Sequence, residues 1–430
     1  MIQPRQSGPS RVELSPKLLK LGMVLDFTLY DEHGRMLLAR RQRIDTPHLL
    51  SILQARPFLF ADQDESREPI KVVMASLEKA IQQNAPLKDI DKFHTLSNTP
   101  REEPADVEVP LPQACSDLED RLRTAQGNLS ADPTVARQVV PRIDQITAQL
   151  KTLLARDEAG SLFLLVNRAI TGFTGYSTLH SLLCAGLAVS VGKSAGLSEA
   201  EQQALDRAAL TMNVSVKQLQ DTMAAQKSPP TQEQLALIDR HPTASANLLR
   251  AAGVTDRLWL DAVTLHHDPL PGQAPLSSLP AAERVARVLQ VIDRYTAALS
   301  PRGSRAGRDA RDATRSVVKL PGSGTHDEVG LALLQALGLY PLGSYVRLAT
   351  GDVAVVLGQG ERPNTPHVST VVNRRGEPIG TPRLVDTAKP EHAVAEGLSG
   401  SEIRVRLSEQ LILRQMSALR AAQERGTPFR

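Results

Sequence analysis

Aromatic side chains are scarce, at 3% of 430 residues with a single Trp, so a surface of stacked rings for single-stranded nucleic acid or sugars has little material. Cysteine is scarcer: Cys115 and Cys184 form no Cys-x-x-Cys pair and cannot build a disulfide framework, which points to a reducing compartment. A large charge of one sign is also missing. Fifty Lys+Arg against 47 Asp+Glu leave +3, too little for counterion-driven binding of duplex nucleic acid by the whole chain. The opening MIQPRQSGPSRVELSPK has no apolar core behind its positive charges and does not read as a secretory signal. The longest uncharged run, Ala169 to Gly192, could span a bilayer by length. It carries His180, four glycines and several Ser/Thr, and reads as a buried helical region with no membrane span.

What is present is ordinary globular text, 41% hydrophobic and 23% charged, in a chain long enough for two or three units. Residues 1–65 read as a small β-rich unit, with Asp31-Glu32-His33-Gly34 as a turn between two short strands. Residues 66–114 read as a linker containing one helix, Pro69 to Gln83, and a polar Pro-containing segment, Asn98 to Pro112. From 115 to 340 apolar residues recur three and four apart between Gly, Pro and Ser clusters, which predicts helix after helix. Residues 341–390 revert to strand-like text, too short for a core of their own and expected to pack on the helices. A final helix is expected within 391–430, roughly Ser401 to Gln423, with Ile403, Leu407, Leu411 and Met416 near one face. The fold class is therefore mainly α, a helical bundle with a small N-terminal β-containing unit and a short C-terminal β-extension.

Two groups of residues can carry chemistry. His180, His241, the pair His266-His267 and Asp293 are spread over separate predicted helices and could converge on a metal, as inward-facing residues of bundles do. Spacing alone also allows each histidine to be packed without a ligand. The second group is basic: Arg302, Arg305, Arg308, Arg311, Arg315 and Lys319 recur every three or four positions, and if helical they form one stripe. That stripe is either a phosphate-binding surface or a solvated face balanced by Asp309 and Asp312. Gly303 and Gly307 argue against helix at its start.

The order of these motifs resembles the HD-GYP domains of the HD superfamily: His180-Ser181-Leu182, an apolar Ala209-Leu210 step, His241-Pro242, His266-His267 and Val291-Ile292-Asp293-Arg294-Tyr295. The later text Ala336-Leu337-Gly338-Leu339-Tyr340-Pro341-Leu342-Gly343, followed by Gly351-Asp352-Val353-Ala354-Val355-Val356, is similar to the β-extension that often follows that domain. The resemblance covers about residues 160–385. It implies a bundle of helices, hydrolysis of cyclic di-GMP at a two- or three-metal centre, metal-ligand positions at His180, His241, His266, His267 and Asp293, and phosphate contacts from Arg302 and Arg305.

Departures from the pattern are as informative. The defining His-Asp pair falls on Met212 and Asn213. A thioether and a neutral amide are poor substitutes for an imidazole and a bridging carboxylate on hard dications. The family's Lys falls on Val216, and Lys217, about 100° further round a helix, faces elsewhere. The Gly-Tyr-Pro tripeptide is absent, its place taken by Ala274-Pro275-Leu276.

No catalytic set is intact at Met212, Asn213 and Val216. The expectation is a degenerate, cytoplasmic, bacterial signalling protein of HD-GYP type. It would hold at most one divalent metal (Fe, Mn or Zn) at reduced occupancy and bind cyclic di-GMP, another phosphorylated ligand or a signalling partner with little or no hydrolysis. A homodimer is compatible with this. The alternatives are an active metal-dependent phosphodiesterase with an atypical metal site, and a helical interaction scaffold.

Overall fold

The chain divides into two compact units, Met1–Val107 and Glu108–Arg430. The computed structural model describes residues 11–14, 16, 19, 23, 25, 28–31, 36–38, 42, 44, 46–56 and 59–62 of the first, and 109–129, 133–268, 274–319 and 326–425 of the second. The helix expected over Pro69–Gln83 lies outside the described residues.

In the first unit, β1 (Arg11–Leu14), β2 (Leu29–Tyr30), β3 (Met36–Leu38) and β4 (Leu59–Asp62) form an antiparallel sheet in the order β1-β4-β2-β3, with helix α1 (Pro47–Gln54) before the last strand. The strands β2 and β3 flank the turn text at 31–34. Leu19, Leu25, Leu29, Leu38, Ile44, Leu53 and Leu59 make its small core.

The second unit is mainly helical. Its helices are α2 (Leu111–Asn128), α3 (Pro133–Arg137), α4 (Val139–Arg156), α5 (Glu158–Thr171), α6 (Tyr176–Ser194), α7 (Glu199–Thr211), α8 (Lys217–Ala225), α9 (Gln232–Ala251), α10 (Arg257–Leu265), α11 (Ala281–Leu299), α12 (Ala310–Val318) and α13 (Glu328–Leu337). The first begins at Leu111, inside the segment that reads as linker by composition. Pro110 and Pro112 sit at its cap and first turn, where a missing N–H leaves nothing unpaired.

The long uncharged run has become the end of α5 and most of α6. The latter is buried on nearly every side, which is why its sequence shows no polar face. Among the described residues no helix is long and apolar enough to cross a membrane.

Strands β5 (Tyr345–Leu348), β6 (Val353–Gly358), β7 (His367–Val372), β8 (Pro378–Asp386) and β9 (Val394–Leu398) form an antiparallel sheet in the order β8-β7-β6-β5-β9. Alternation divides its side chains. Tyr345, Val353, Val355 and Leu357 join the main helical core, while Val346, Leu348, Ala354, Val356 and Val368 form a small cluster on the other face. Asn167 of α5 ties the sheet down by donating to the Gly343 carbonyl and the Tyr345 hydroxyl, both at 2.9 Å. The last helix, α14, spans Glu409–Glu424 and not Ser401–Gln423, because the Ser408 hydroxyl caps it by accepting from the Leu411 N–H. Its buried residues are Ile412, Met416 and Leu419. The Arg168 guanidinium grips Glu409 with two bonds of 2.8 Å and so anchors α14 on α5.

Candidate functional site

Helix α6 starts at Gly175, whose φ of 69° is a left-handed conformation that few side chains adopt. The first turn then presents Tyr176, and one turn later His180 stacks beneath it with ring centroids 5.6 Å apart. The His180 Nε2 pairs with Asp293 Oδ1 of α11 at 2.8 Å, and Cys184 Sγ lies 3.6 Å from the same nitrogen. Burial pushes His180 down, but charge interactions with Cys184 and Tyr176 and the bond to Asp293 raise it well above its usual value. Burial pushes Asp293 up, and the hydrogen bond from His180 outweighs it and holds the carboxyl well below its ordinary range. The two form a buried ion pair.

Three histidines gather beside this pair. Pro242 follows His241 inside α9 and has no N–H for the carbonyl of Ile238, four residues back. The His241 Nδ1 takes that carbonyl instead. Helix α10 ends at Leu265, leaving its last carbonyls without helical donors, and His266 Nδ1 takes the one on Val263 at 2.7 Å. A ring nitrogen bonded to a carbonyl must carry the hydrogen, so both Nε2 atoms present lone pairs. These lie 3.1 Å apart. Burial pushes both imidazoles down, His266 to about 3, so neither supplies a proton to fill the gap near neutral pH.

His267 completes the group from a more exposed position, its ring centroid 5.0 Å from His241 and 4.4 Å from His266. Two nitrogens held about 2.1 Å from one ion at about 90–110° stand about 3.0–3.4 Å apart. The trio therefore fits one imidazole-loving divalent ion, and its carbonyl-bound Nδ1 atoms are the usual outer support for such ligands. A second cluster, His180, Cys184 and Asp293, also has its donor atoms within 4.8 Å of one another; the ion pair engages His180 Nε2 and Asp293 Oδ1, and Asp293 Oδ2 stands 3.8 Å from His267 Nε2.

A cavity of about 690 Å³ opens over these residues, lined by Tyr176, His180, Asn213, His241, His267, Asp293, Arg294, Arg302, Arg305 and Arg308 among others. Fully buried His266 supports the cavity from behind. Of the residues at the departed motif, Met212 is wholly buried in the main core and Val216 is buried, and neither lines the cavity. Asn213 does. It is 5% exposed, and its Nδ2 has no hydrogen-bond partner among the described residues. Lys217 points to Asp221 at 3.8 Å and not into the cavity, and Ala274-Pro275-Leu276 lies away from it, with the Leu276 N–H bonded to Glu328.

The basic stripe does not form. Residues 301–309 are a non-helical loop in which Arg302 and Arg305 pair backbone to backbone, and only Ala310–Val318 is helical. Gly303 and Gly307 make that loop: a Cβ would stand 2.6 Å from the Ala225 carbonyl oxygen at the first and 2.1 Å from that of Leu299 at the second. Arg302 reaches the Tyr176 hydroxyl at 3.1 Å with its guanidinium 5.3 Å from the centre of that ring, and Arg305 donates to the Ala297 carbonyl at 2.8 Å. Arg315 is exposed and paired with Asp312. Sequence reading missed Tyr176 and Cys184, both four residues from His180 on one helix face. That spacing was the available signal.

A cyclic di-GMP phosphodiesterase of Pseudomonas aeruginosa is 27% identical over 218 residues, which cover 50% of this chain and 52% of that protein. The chain is similar to the HD-GYP phosphodiesterases. The match spans about half the length of that relative. A solved structure from Bdellovibrio bacteriovorus, described as an HDG"Y"P protein, superposes with a TM-score of 0.42 at 14% identity, covering 76% of this chain and 98% of the other. No protein-family model matches the chain.

Proposed function

We propose that this HD-GYP-like unit is a cyclic di-GMP-responsive signalling module that binds the nucleotide, or a related phosphorylated ligand, with little or no hydrolysis and with at most one divalent ion. The observation that carries the reading is the pairing at the cavity floor. Asp293, the carboxylate among the described cavity-lining residues, is bonded to His180, and Asn213 stands where a bridging carboxylate is expected. Two-metal hydrolysis needs a hydroxide acidified by both cations. Asp293 Oδ2 stands 3.8 Å from His267 Nε2 while Oδ1 is held by His180, and with an amide at 213 no second carboxylate among the described residues lines the cavity to bridge two ions, which supports one ion and no two-metal hydroxide. His241, His266 and His267 would hold the ion, which supplies Lewis-acid binding of a phosphoryl oxygen when present. Arg302, with Arg305 behind it, would take the phosphates. The cavity and its arginines favour a ligand-binding role over a purely structural scaffold.

Anaerobic purification, elemental analysis and calorimetric titration with cyclic di-GMP test this together. One or fewer ions per chain, saturable binding and no linear product formation are expected. Two or more tightly held iron or manganese ions, with steady turnover abolished by Asp293→Ala, would establish an active phosphodiesterase instead.

A further inference from the structure

Two stretches of chain give the cavity chemically different linings. Helix α11 and the loop after it bring Arg294, Arg302, Arg305 and Arg308, whereas α8, the linker behind it and α9 bring Met223, Pro230, Leu235 and Ile238. On α9 the cavity residues Leu235, Ile238 and His241 recur three apart, so the helix face that reaches the histidine trio is apolar before it gets there. At a rise of about 1.5 Å per residue, Leu235 stands about 9 Å along the axis from His241. It is also 40% exposed. A single exposed Leu is ordinary, but one that continues an apolar lining into a cavity is surface left for a ligand to cover.

The apolar lining is held in shape by its own hydrogen bonds. The Thr231 hydroxyl accepts from the Gln234 N–H at 3.2 Å and starts α9, while the Gln234 side chain accepts from the Thr231 N–H and donates to Gln226 Oε1, both at 2.9 Å. Gln226 Nε2 in turn donates to the carbonyls of Ser228 and Pro229 at 3.0 and 2.8 Å. The Gly303 N–H donates to the Ala224 carbonyl at 2.6 Å, which ties the arginine loop to the end of α8. The two linings therefore keep a fixed spacing, and little freedom is lost when one ligand spans them.

A ligand that satisfies both is anionic in one part and apolar in another. Inorganic phosphate meets the arginines alone, whereas a nucleotide carries a flat base one sugar away from its phosphate. We propose that Leu235 and Ile238 seat a base of the nucleotide whose phosphates lie on the arginines. This rests on the nucleotide-binding reading above and adds the residues that hold the base.

Calorimetric titration of the full chain tests it with two probes, cyclic di-GMP and inorganic pyrophosphate, which has phosphates and no base. Four proteins are compared: unmodified, Leu235→Ser, Leu235→Met and Arg302→Ala. Leu235→Ser should weaken cyclic di-GMP binding about tenfold, the loss expected for most of one side chain's apolar contact, and leave pyrophosphate binding unchanged. Leu235→Met keeps the apolar area and should stay within about twofold of the unmodified protein. Arg302→Ala should weaken both probes. Because Leu235 is exposed, both of its variants should melt with the unmodified protein. Should pyrophosphate bind too weakly to titrate, the contrast between the Ser and Met variants decides. Unchanged cyclic di-GMP affinity in Leu235→Ser, equal losses in the Ser and Met variants, or equal losses for both probes overturns the inference and leaves the nucleotide reading standing, whereas no binding of cyclic di-GMP by the unmodified protein overturns both.

Discussion

The Nε2 atoms of His241 and His266 face one another at 3.1 Å, each ring fixed by its Nδ1 on a backbone carbonyl. Two lone pairs held this close repel one another, and a cation between them relieves the repulsion. Zinc added to metal-free protein should therefore raise its melting temperature, by the equivalent of about 2.7 kcal/mol at a hundred times the dissociation constant. His266→Ala should abolish that rise. An equal rise in the variant would place the ion elsewhere.

Pro242 gives a sharper test because its effects on stability and on metal run in opposite directions. Pro242→Ala restores an N–H that competes with His241 for the Ile238 carbonyl, releasing the imidazole from its fixed tautomer. Losing an outer support of this kind weakens metal binding about 10- to 100-fold. The metal-free variant should melt no lower than the unmodified protein, since a helix-interior proline has been removed. A fall in both quantities would show that Pro242 serves packing alone.

Arg302 and Arg315 differ in place and should differ in consequence. Arg302→Ala should weaken cyclic di-GMP binding about 10- to 100-fold, the loss expected for a charge-assisted phosphate contact of about 1.5–3 kcal/mol. Arg315→Ala, exposed and off the cavity, should change little. Tyr176→Phe keeps the ring beneath the guanidinium but loses the 3.1 Å bond to it, so a loss between those two is expected. Calorimetry at two salt concentrations checks all three, and equal losses for both arginines would indicate a diffuse basic surface.

Gly307→Ala addresses the arginine loop without touching an arginine. The new methyl would stand 2.1 Å from the Leu299 carbonyl oxygen, so the loop bearing Arg302, Arg305 and Arg308 must move. Cyclic di-GMP affinity should fall by about tenfold or more, in line with losing one charge-assisted contact. Circular dichroism and calorimetry report the two effects separately, and unaltered affinity would mean that the loop's position is not needed.

Glu201 makes an acid-sensitive clamp away from the cavity. Burial pushes its carboxyl up, but the Ser198 hydroxyl and N–H and the Arg284 guanidinium, at 2.7, 2.8 and 2.6 Å, hold it below its ordinary value. A carboxyl depressed in the folded state stabilises fully above its unfolded value, about 4.3, and loses that contribution as pH falls through the folded value. Glu201→Gln should cost about 1–2 kcal/mol at pH 7. Thermal melts at several pH values should show the gap from the unmodified protein closing below about pH 4, and a gap independent of pH would exclude the ionised clamp.

The sequence by itself determined the helical domain, the small sheets that precede and follow it along the chain, and the set of histidines with Asp293, because apolar period and residue type survive in one dimension. His241-Pro242 carried even a detail of the site, since a proline's missing N–H is a local fact. Tertiary structure decided what depends on neighbours distant in the chain. The basic stripe broke into a loop because Gly303 and Gly307 approach the backbone of Ala225 and Leu299, which periodicity does not reveal. The last helix begins at Glu409, eight residues after Ser401, because the Ser399 and Ser408 side chains cap a short 3-10 turn at Gly400–Glu402 and the helix itself in turn. Met212 and Asn213 are adjacent in sequence and alike in departing from the resembled motif, yet one is sealed in the core and the other lines the cavity. Which of two neighbours lines the cavity is set by where α7 ends and by what packs against each, and only the folded chain fixes both.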